Sequence, residues 1–444
     1  MKANTYYLVS LGCAKNTVDS ESMAALLDQN GFRAVEKPQQ ASVMIVNTCG
    51  FIAAAREESL SVLQELANGK KNGQILVAAG CLTERSRQLM IDNIEGVDGF
   101  IGTRRWMDIL DLLSELRKNP RQPQFELPEP ATIGKDEKGI NRVAIQGGSA
   151  YLKIADGCRR PCAFCSIPLI KGTIVSRPIN LIIKDALQLQ EYCTRELILI
   201  AQDTTDYGFD LGMKDGLVDL LQKLIPEIPE IPWIRLLYAY PGYVTDRLID
   251  LMANEPKLLH YLDIPLQHAS PLLLKNMKRP SDMEWVYRTI EKMRQAMPDL
   301  ALRTTFIVGF PGETETEFQK LLDFMEAIKF DHVGAFTFSF EPGTSSEPLG
   351  DPIPEEIKQE RLGRLMTLQE KISLSKNQAW IGKQMDVLIE GNGDGISVGR
   401  SYRDAPEIDG LMIVESEVEI GQIYPVQVTG ALVHDLSGKI IKSA

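Results

Sequence analysis

The stretch DGCRRPCAFCSIP, residues 156–168, holds three of the chain's seven cysteines, Cys158, Cys162 and Cys165. Gly157 and Pro161 shape a tight loop directly after a strand-like apolar run. Three thiolates on one short loop can hold three irons of a cubane cluster, leaving the fourth iron open to a small molecule. A tetrahedral zinc site wants a fourth protein ligand, and no His or Cys lies nearby. Cys193 follows only 28 residues later, in a helical pattern where it reads as a small buried hydrophobe. A ferredoxin-like electron carrier would also need a fourth cysteine from elsewhere.

Cys13 (SLGCAKN), Cys49 (VNTCGFI) and Cys81 (AAGCL) are far apart in sequence, yet each stands at or just beyond the carboxyl end of a predicted parallel strand. In an open α/β sheet those ends converge on one crevice, so three strands would deliver a second three-thiolate site. Helix N-termini following Cys13 and Cys49 would favour the thiolate charge. The alternative is three unrelated core cysteines, since free Cys is often buried.

The elements that must position these residues divide the 444-residue chain into three parts. YYLVSLG, ASVMIVNTCG and QILVAAGC alternate with amphipathic stretches, which predicts a doubly wound parallel-sheet domain over residues 1–120. Residues 121–142, rich in Pro, Gly and charge, read as a linker. Six strand candidates separated mostly by helical patterns predict a partial or complete (β/α) barrel, carried with a connecting helix over residues 143–379. Short Gly-punctuated strands predict a small antiparallel β-barrel over residues 380–444. The fold class is α/β. No window approaches a transmembrane span or a signal h-region, so a cytoplasmic protein with reduced thiols and no membrane partner is expected.

With Phe164 between the last two cysteines, the central loop resembles the radical SAM signature, C-x3-C-x-aromatic-C. The resemblance implies a 4Fe-4S cluster on Cys158, Cys162 and Cys165 as the catalytic centre, S-adenosyl-L-methionine chelated to its open iron, and reductive cleavage to a 5′-deoxyadenosyl radical. Cofactor-binding candidates are Phe164, Gln202 and Asp203 at one strand's carboxyl end, and Ile307 and Gly309 in TFIVGFPGE, close to the superfamily's adenine-cradling pattern. His268 in PLQHAS reads as a satisfied core or loop histidine rather than a barrel-mouth residue. With the second cysteine set and the terminal β-barrel, the whole chain resembles the methylthiotransferases. That resemblance implies a second 4Fe-4S cluster on Cys13, Cys49 and Cys81, a TRAM-type terminal barrel, and sulfide or persulfide as sulfur source.

The family divides between enzymes acting on tRNA adenosine and those that modify the β-carbon of an aspartate in small-subunit ribosomal protein twelve. From Ala379 onward there are five Lys/Arg against ten Asp/Glu, and the whole chain carries −12. Phosphate binding rests on Lys and Arg, so nucleic-acid binding is not expected as the main function. An acidic barrel suits a basic ribosomal protein, with Asp404, Glu407 and Asp409 as candidate docking residues. YLKIADGC and GRSYRDAPEIDG also resemble the protein-modifying branch. The alternatives are a tRNA adenosine methylthiotransferase and a non-catalytic iron–sulfur redox or RNA-binding protein. A flavodoxin- or ferredoxin-type reductant is the expected electron donor.

Overall fold

Residues 4–118, 124–126 and 139–441 are described by a computed structural model. The first sheet is wholly parallel, in the order Arg33–Ala34, Thr5–Ser10, Val43–Thr48, Ile75–Gly80, Gly99–Gly102, Gln124–Glu126. Every residue of Val43–Thr48 is buried, as a central strand covered on both faces requires. The order reverses between Thr5–Ser10 and Val43–Thr48, which makes their carboxyl ends a topological switch point. Cys13 and Cys49 follow those two strands. Sequence patterning misses the short strands Arg33–Ala34 and Gly99–Gly102 because neither is long enough to show a period. It also places Gln124–Glu126 in the linker, whereas this segment pairs with Gly99–Gly102. Residues 121–123 and 127–138 of the linker assignment lie outside the described residues, whereas 139–142 pack into the fold, with Ile140 and Arg142 buried.

Six parallel strands form the central sheet in chain order: Ser149–Lys153, Glu196–Ile200, Trp233–Leu236, Leu258–Asp263, Ala301–Val308 and His332–Thr337. Val143–Gln146 pairs antiparallel at one edge and His332–Thr337 forms the other, so the barrel is partial. The helix Glu355–Gln378 leads to a closed five-stranded barrel. Its pairing departs from a purely antiparallel barrel at one place, where Met412–Val414 runs parallel to Leu436–Ile440. Among the described residues no helix is long and apolar enough to cross a membrane. Cys193 is exposed at φ 58°, in the turn that ends a helix, and is not the buried hydrophobe its helical pattern suggests.

Two buried charge clusters lock the three parts together. Asp19, on the helix Ala14–Gln29, receives Arg142, Lys153 Nζ at 2.5 Å and Lys171 Nζ at 3.1 Å. Asp156 receives the same Lys153 at 2.9 Å and Lys171 at 3.0 Å. Burial opposes ionisation of Asp19, but the three cations outweigh it and hold its carboxyl below the usual range. At the other seam, Glu196 accepts from Arg235 Nε and Arg400 Nη2, both at 2.6 Å, and from Ser149 Oγ at 2.8 Å. Arg235 reaches onward to the carbonyls of Tyr402 and Ser401, so the barrel strands and the terminal domain share one network.

The acidic docking surface expected at Asp404, Glu407 and Asp409 is not formed. Asp409 accepts from Tyr261 Oη at 2.6 Å and Arg303 Nε at 3.2 Å, and Asp404 is buried against Ser401 Oγ at 2.7 Å. His332 stands 3.6 Å from both carboxylates. Only Glu407 is exposed. Asp409 complements Arg303 of the central barrel and Asp404 accepts from a hydroxyl of its own loop; charge counting cannot tell an outward face from a seam.

Two outcomes follow from the seams. Asp19→Ala leaves three buried cations sharing one carboxylate and should cost about 3–5 kcal/mol, read as an earlier urea midpoint; a loss near zero contradicts the seam. Glu196 is depressed to about 2, burial being outweighed by Arg235 and Arg400. Its folded value lies below the unfolded one, so its stabilisation is complete above about pH 4.3 and fades as pH falls toward the folded value. The stability gap between wild type and Glu196→Gln should therefore narrow below that pH, and a gap that is flat down to pH 3 contradicts the assignment.

Candidate active site

Local backbone rules bring Cys13, Cys49 and Cys81 to one edge. Cys13 caps the helix Ala14–Gln29 from extended geometry (φ −91°, ψ 166°), its carbonyl accepting from Asn16 N and Thr17 N. Cys81 opens the helix Cys81–Asn93 directly after a strand. Cys49 lies instead in a short loop before Ala53–Asn68, so the helix N-termini serve Cys13 and Cys81 rather than Cys13 and Cys49. Gly12 has φ 91°, and a Cβ there would come within 2.8 Å of Cys49 Cβ and 3.0 Å of its Sγ. Only glycine lets these two loops approach so closely. Asn16 ties them by donating to the carbonyls of Leu11 at 2.7 Å and Thr48 at 3.2 Å.

The second set sits on the loop after the strand pair that starts the barrel. Cys158 N donates to Gly172 O at 3.0 Å, and Ala163 N to Met277 O at 2.9 Å, so both ends of the loop are pinned. Arg160 pairs with Asp203 at 2.6 Å, and Arg159 makes a bidentate pair with Asp206. Arg279 approaches Cys162 Sγ at 3.4 Å and lies over the Tyr240 ring at 4.2 Å. The Tyr240 hydroxyl is 3.8 Å from the same sulfur.

Both sets open on one cavity of 460 Å³, lined by all six cysteines together with Lys15, Phe164, Lys171, Gln202, Tyr238 and Arg279 among others. Burial pushes the Cys81 and Cys165 thiols up to about 12 and Cys158 to about 11. Cys13 goes the other way: burial raises it, but Lys15 and the backbone N–H of Asn16 outweigh that. Thiols held protonated by burial become ligands when a cation takes the proton's place, so binding iron here releases protons. Among the described residues no three His, Cys, Asp or Glu stand close enough to hold a single metal ion. Three soft thiols per set around an open cavity fit a multi-iron cluster, whose thiolates bind separate irons. Gln202 Oε1 and Arg279 Nε are buried in this wall with no protein partner, polar atoms available to a bound molecule.

Of the other residues singled out from sequence, Phe164, Gln202 and Asp203 line the cavity. Asp203 is engaged by Arg160 and by Thr205 N at 3.0 Å, which makes it a brace for the cysteine loop. Ile307 and Gly309 fall outside the lining. Ile307 N donates to the carbonyl of the lining residue Gln267 at 2.8 Å. Gly309 is small for another reason: a Cβ there would meet Lys358 Cγ at 2.4 Å. His268 is buried, accepting from Ser270 N at 2.9 Å, with Nε2 3.3 Å from Glu313. Sequence reasoning missed Lys15, Lys171, Tyr238, Tyr240 and Arg279. The one available signal was charge inside apolar runs, as in YLKIADG, where Lys153 and Asp156 are buried.

Three family models match: the uncharacterized protein family UPF0004 over residues 5–102, the radical SAM superfamily over 152–325 and the TRAM domain over 381–441. The fold is shared with the radical S-adenosylmethionine methyltransferase TsrM of Kitasatospora setae, at a TM-score of 0.55 and 14% identity, covering 78% of this chain and 77% of that one. The ribosomal protein uS12 methylthiotransferase RimO of Chloroflexus aurantiacus is 46% identical, covering 98% of this chain and 99% of its own. Its namesake from a Roseiflexus species is 44% identical, covering 99% and 97%. With such identity along nearly its whole length, the chain belongs to the RimO family of radical SAM methylthiotransferases.

Proposed function

We propose that the chain inserts a methylthio group at the β-carbon of an aspartate in ribosomal protein uS12, the protein named for its relatives. The observation that carries the reading is the single 460 Å³ cavity onto which both cysteine triads open. Cys158, Cys162 and Cys165 would hold one 4Fe-4S cluster, and Cys13, Cys49 and Cys81 would hold the other. When bound, the first cluster with S-adenosylmethionine would supply the radical that removes hydrogen, the second would present sulfur from sulfide or persulfide, and a further S-adenosylmethionine would supply the methyl group.

The chain's own residues prepare the space. Gln202 Oε1 and Arg279 Nε offer polar contacts to the methionyl and nucleoside groups. Phe164 packs against Met277, Phe310 and Phe338 and keeps that end dry. Lys171, bonded to both Asp19 and Asp156, places positive charge beside Cys81 and Cys13 and offsets the thiolates there. A flavodoxin- or ferredoxin-type protein supplies the electron. The terminal barrel matches the TRAM model, yet its excess of acidic residues disfavours phosphate contacts as its main task.

Anaerobic reconstitution should give about eight irons per chain. Replacing Cys13, Cys49 and Cys81 together by Ala should remove about half of them and leave reductive S-adenosylmethionine cleavage. Replacing Cys158, Cys162 and Cys165 should abolish cleavage. Wild type should methylthiolate uS12 and not unmodified tRNA. Full iron content in the first variant, or modified tRNA with untouched uS12, contradicts the reading.

A further inference from the structure

Lys15 is a cation in the cavity wall that has no carboxylate partner among the described residues. Arg160 is paired with Asp203, and Lys171 with Asp19 and Asp156. Arg279 donates to Pro265 O and reaches Cys162 Sγ at 3.4 Å, which places it at the central triad. Lys15 makes no ion pair among the described residues. Its polar neighbours are the Tyr238 hydroxyl, to which it is hydrogen-bonded, the Cys13 sulfur and, more weakly, Asp263, whose carboxylate is taken by Arg303 Nη1 at 3.1 Å. Its Nζ instead lies 3.2 Å over the Tyr238 ring centroid.

That contact crosses the cavity. Lys15 belongs to the first sheet's unit, two residues after Cys13, while Tyr238 follows the barrel strand Trp233–Leu236. Tyr238 holds φ 64°, a left-handed backbone unusual for a tyrosine, and its carbonyl is fixed by Thr204 N at 3.0 Å. Strained backbone held by its surroundings is characteristic of sites that position a ligand. A partly buried ammonium, stacked on an aromatic face beside the sulfur-presenting triad, stands where the acceptor side chain must enter. An ammonium that faces a cavity and has no carboxylate partner of its own is a receptor for one.

We propose that Lys15, backed by Tyr238, binds the side-chain carboxylate of the acceptor aspartate and thereby sets the enzyme's choice of an anionic residue. This rests on the uS12 reading. In aspartate the carboxylate is bonded directly to the β-carbon, so clamping it fixes the carbon that receives sulfur. Adenine offers no such charge, and Lys15 would disfavour it.

The test compares binding of uS12 with that of uS12 whose target aspartate is replaced by Asn, using anaerobically reconstituted full-length protein. Wild type should prefer the Asp form by about tenfold or more. Lys15→Met should bind both forms alike and Lys15→Arg should keep most of the preference, the two forms being compared on protein of the same measured iron content. The ratio isolates the carboxylate contact, since a purely structural role would weaken both forms equally. An Asp preference that survives in Lys15→Met overturns this inference and leaves the uS12 reading standing. Wild type that methylthiolates uS12 yet binds the two forms equally overturns it too. Wild type that neither binds nor modifies uS12 overturns the functional reading itself.

Discussion

Five ionised side chains with almost no access to water meet where the first sheet abuts the barrel: Asp19, Arg142, Lys153, Asp156 and Lys171. Buried charges are costly unless each is paired, and Asp19 meets its three cations only when the two units dock in one arrangement. The docking decides the chemistry. Asp19 sits six residues after Cys13 on the same helix, and Asp156 two residues before Cys158. The network therefore anchors one triad relative to the other.

Within the shared cavity, electrostatics and steric close approach act together. Burial keeps most of the thiols protonated until a cation replaces the proton, so each triad is built for metal rather than for free nucleophilic sulfur. Lys15 and Lys171 concentrate positive charge at the first triad, and Arg279 at the second. Gly12 lets Cys13 and Cys49 converge, which no side chain at that position would allow. The terminal barrel is tied to this assembly through Glu196 and Arg400 rather than left as a free appendage.

The six cysteines were legible because their chemistry depends on residue type and on place in a strand–loop–helix pattern, both visible in one dimension. The parallel sheets were legible for the same reason: continuous runs such as VMIVNT are buried on both faces. What failed was direction. Asp404 and Asp409 looked like a docking face because a charge count carries no sign of inside or outside; Asp409 in fact answers Tyr261 and Arg303 across a seam, and Asp404 is buried against Ser401 of its own loop. Cys193 failed similarly, its helix ending at Glu191, two residues before it. Gly309 was singled out as a glycine that lets backbone approach a cofactor base, and the group that approaches it in the structure is the Lys358 side chain. Lys15 could not be found at all, because its meaning comes from Tyr238, more than two hundred residues away.

The central claim is that both triads face one cavity, close enough for their clusters to act on a single acceptor carbon. Electron paramagnetic resonance of the reduced, reconstituted protein tests this directly. The spectrum of the intact protein should show magnetic coupling between two clusters, and so differ from the sum of spectra recorded on variants lacking one triad each. A spectrum equal to that sum would place the clusters apart and contradict the account.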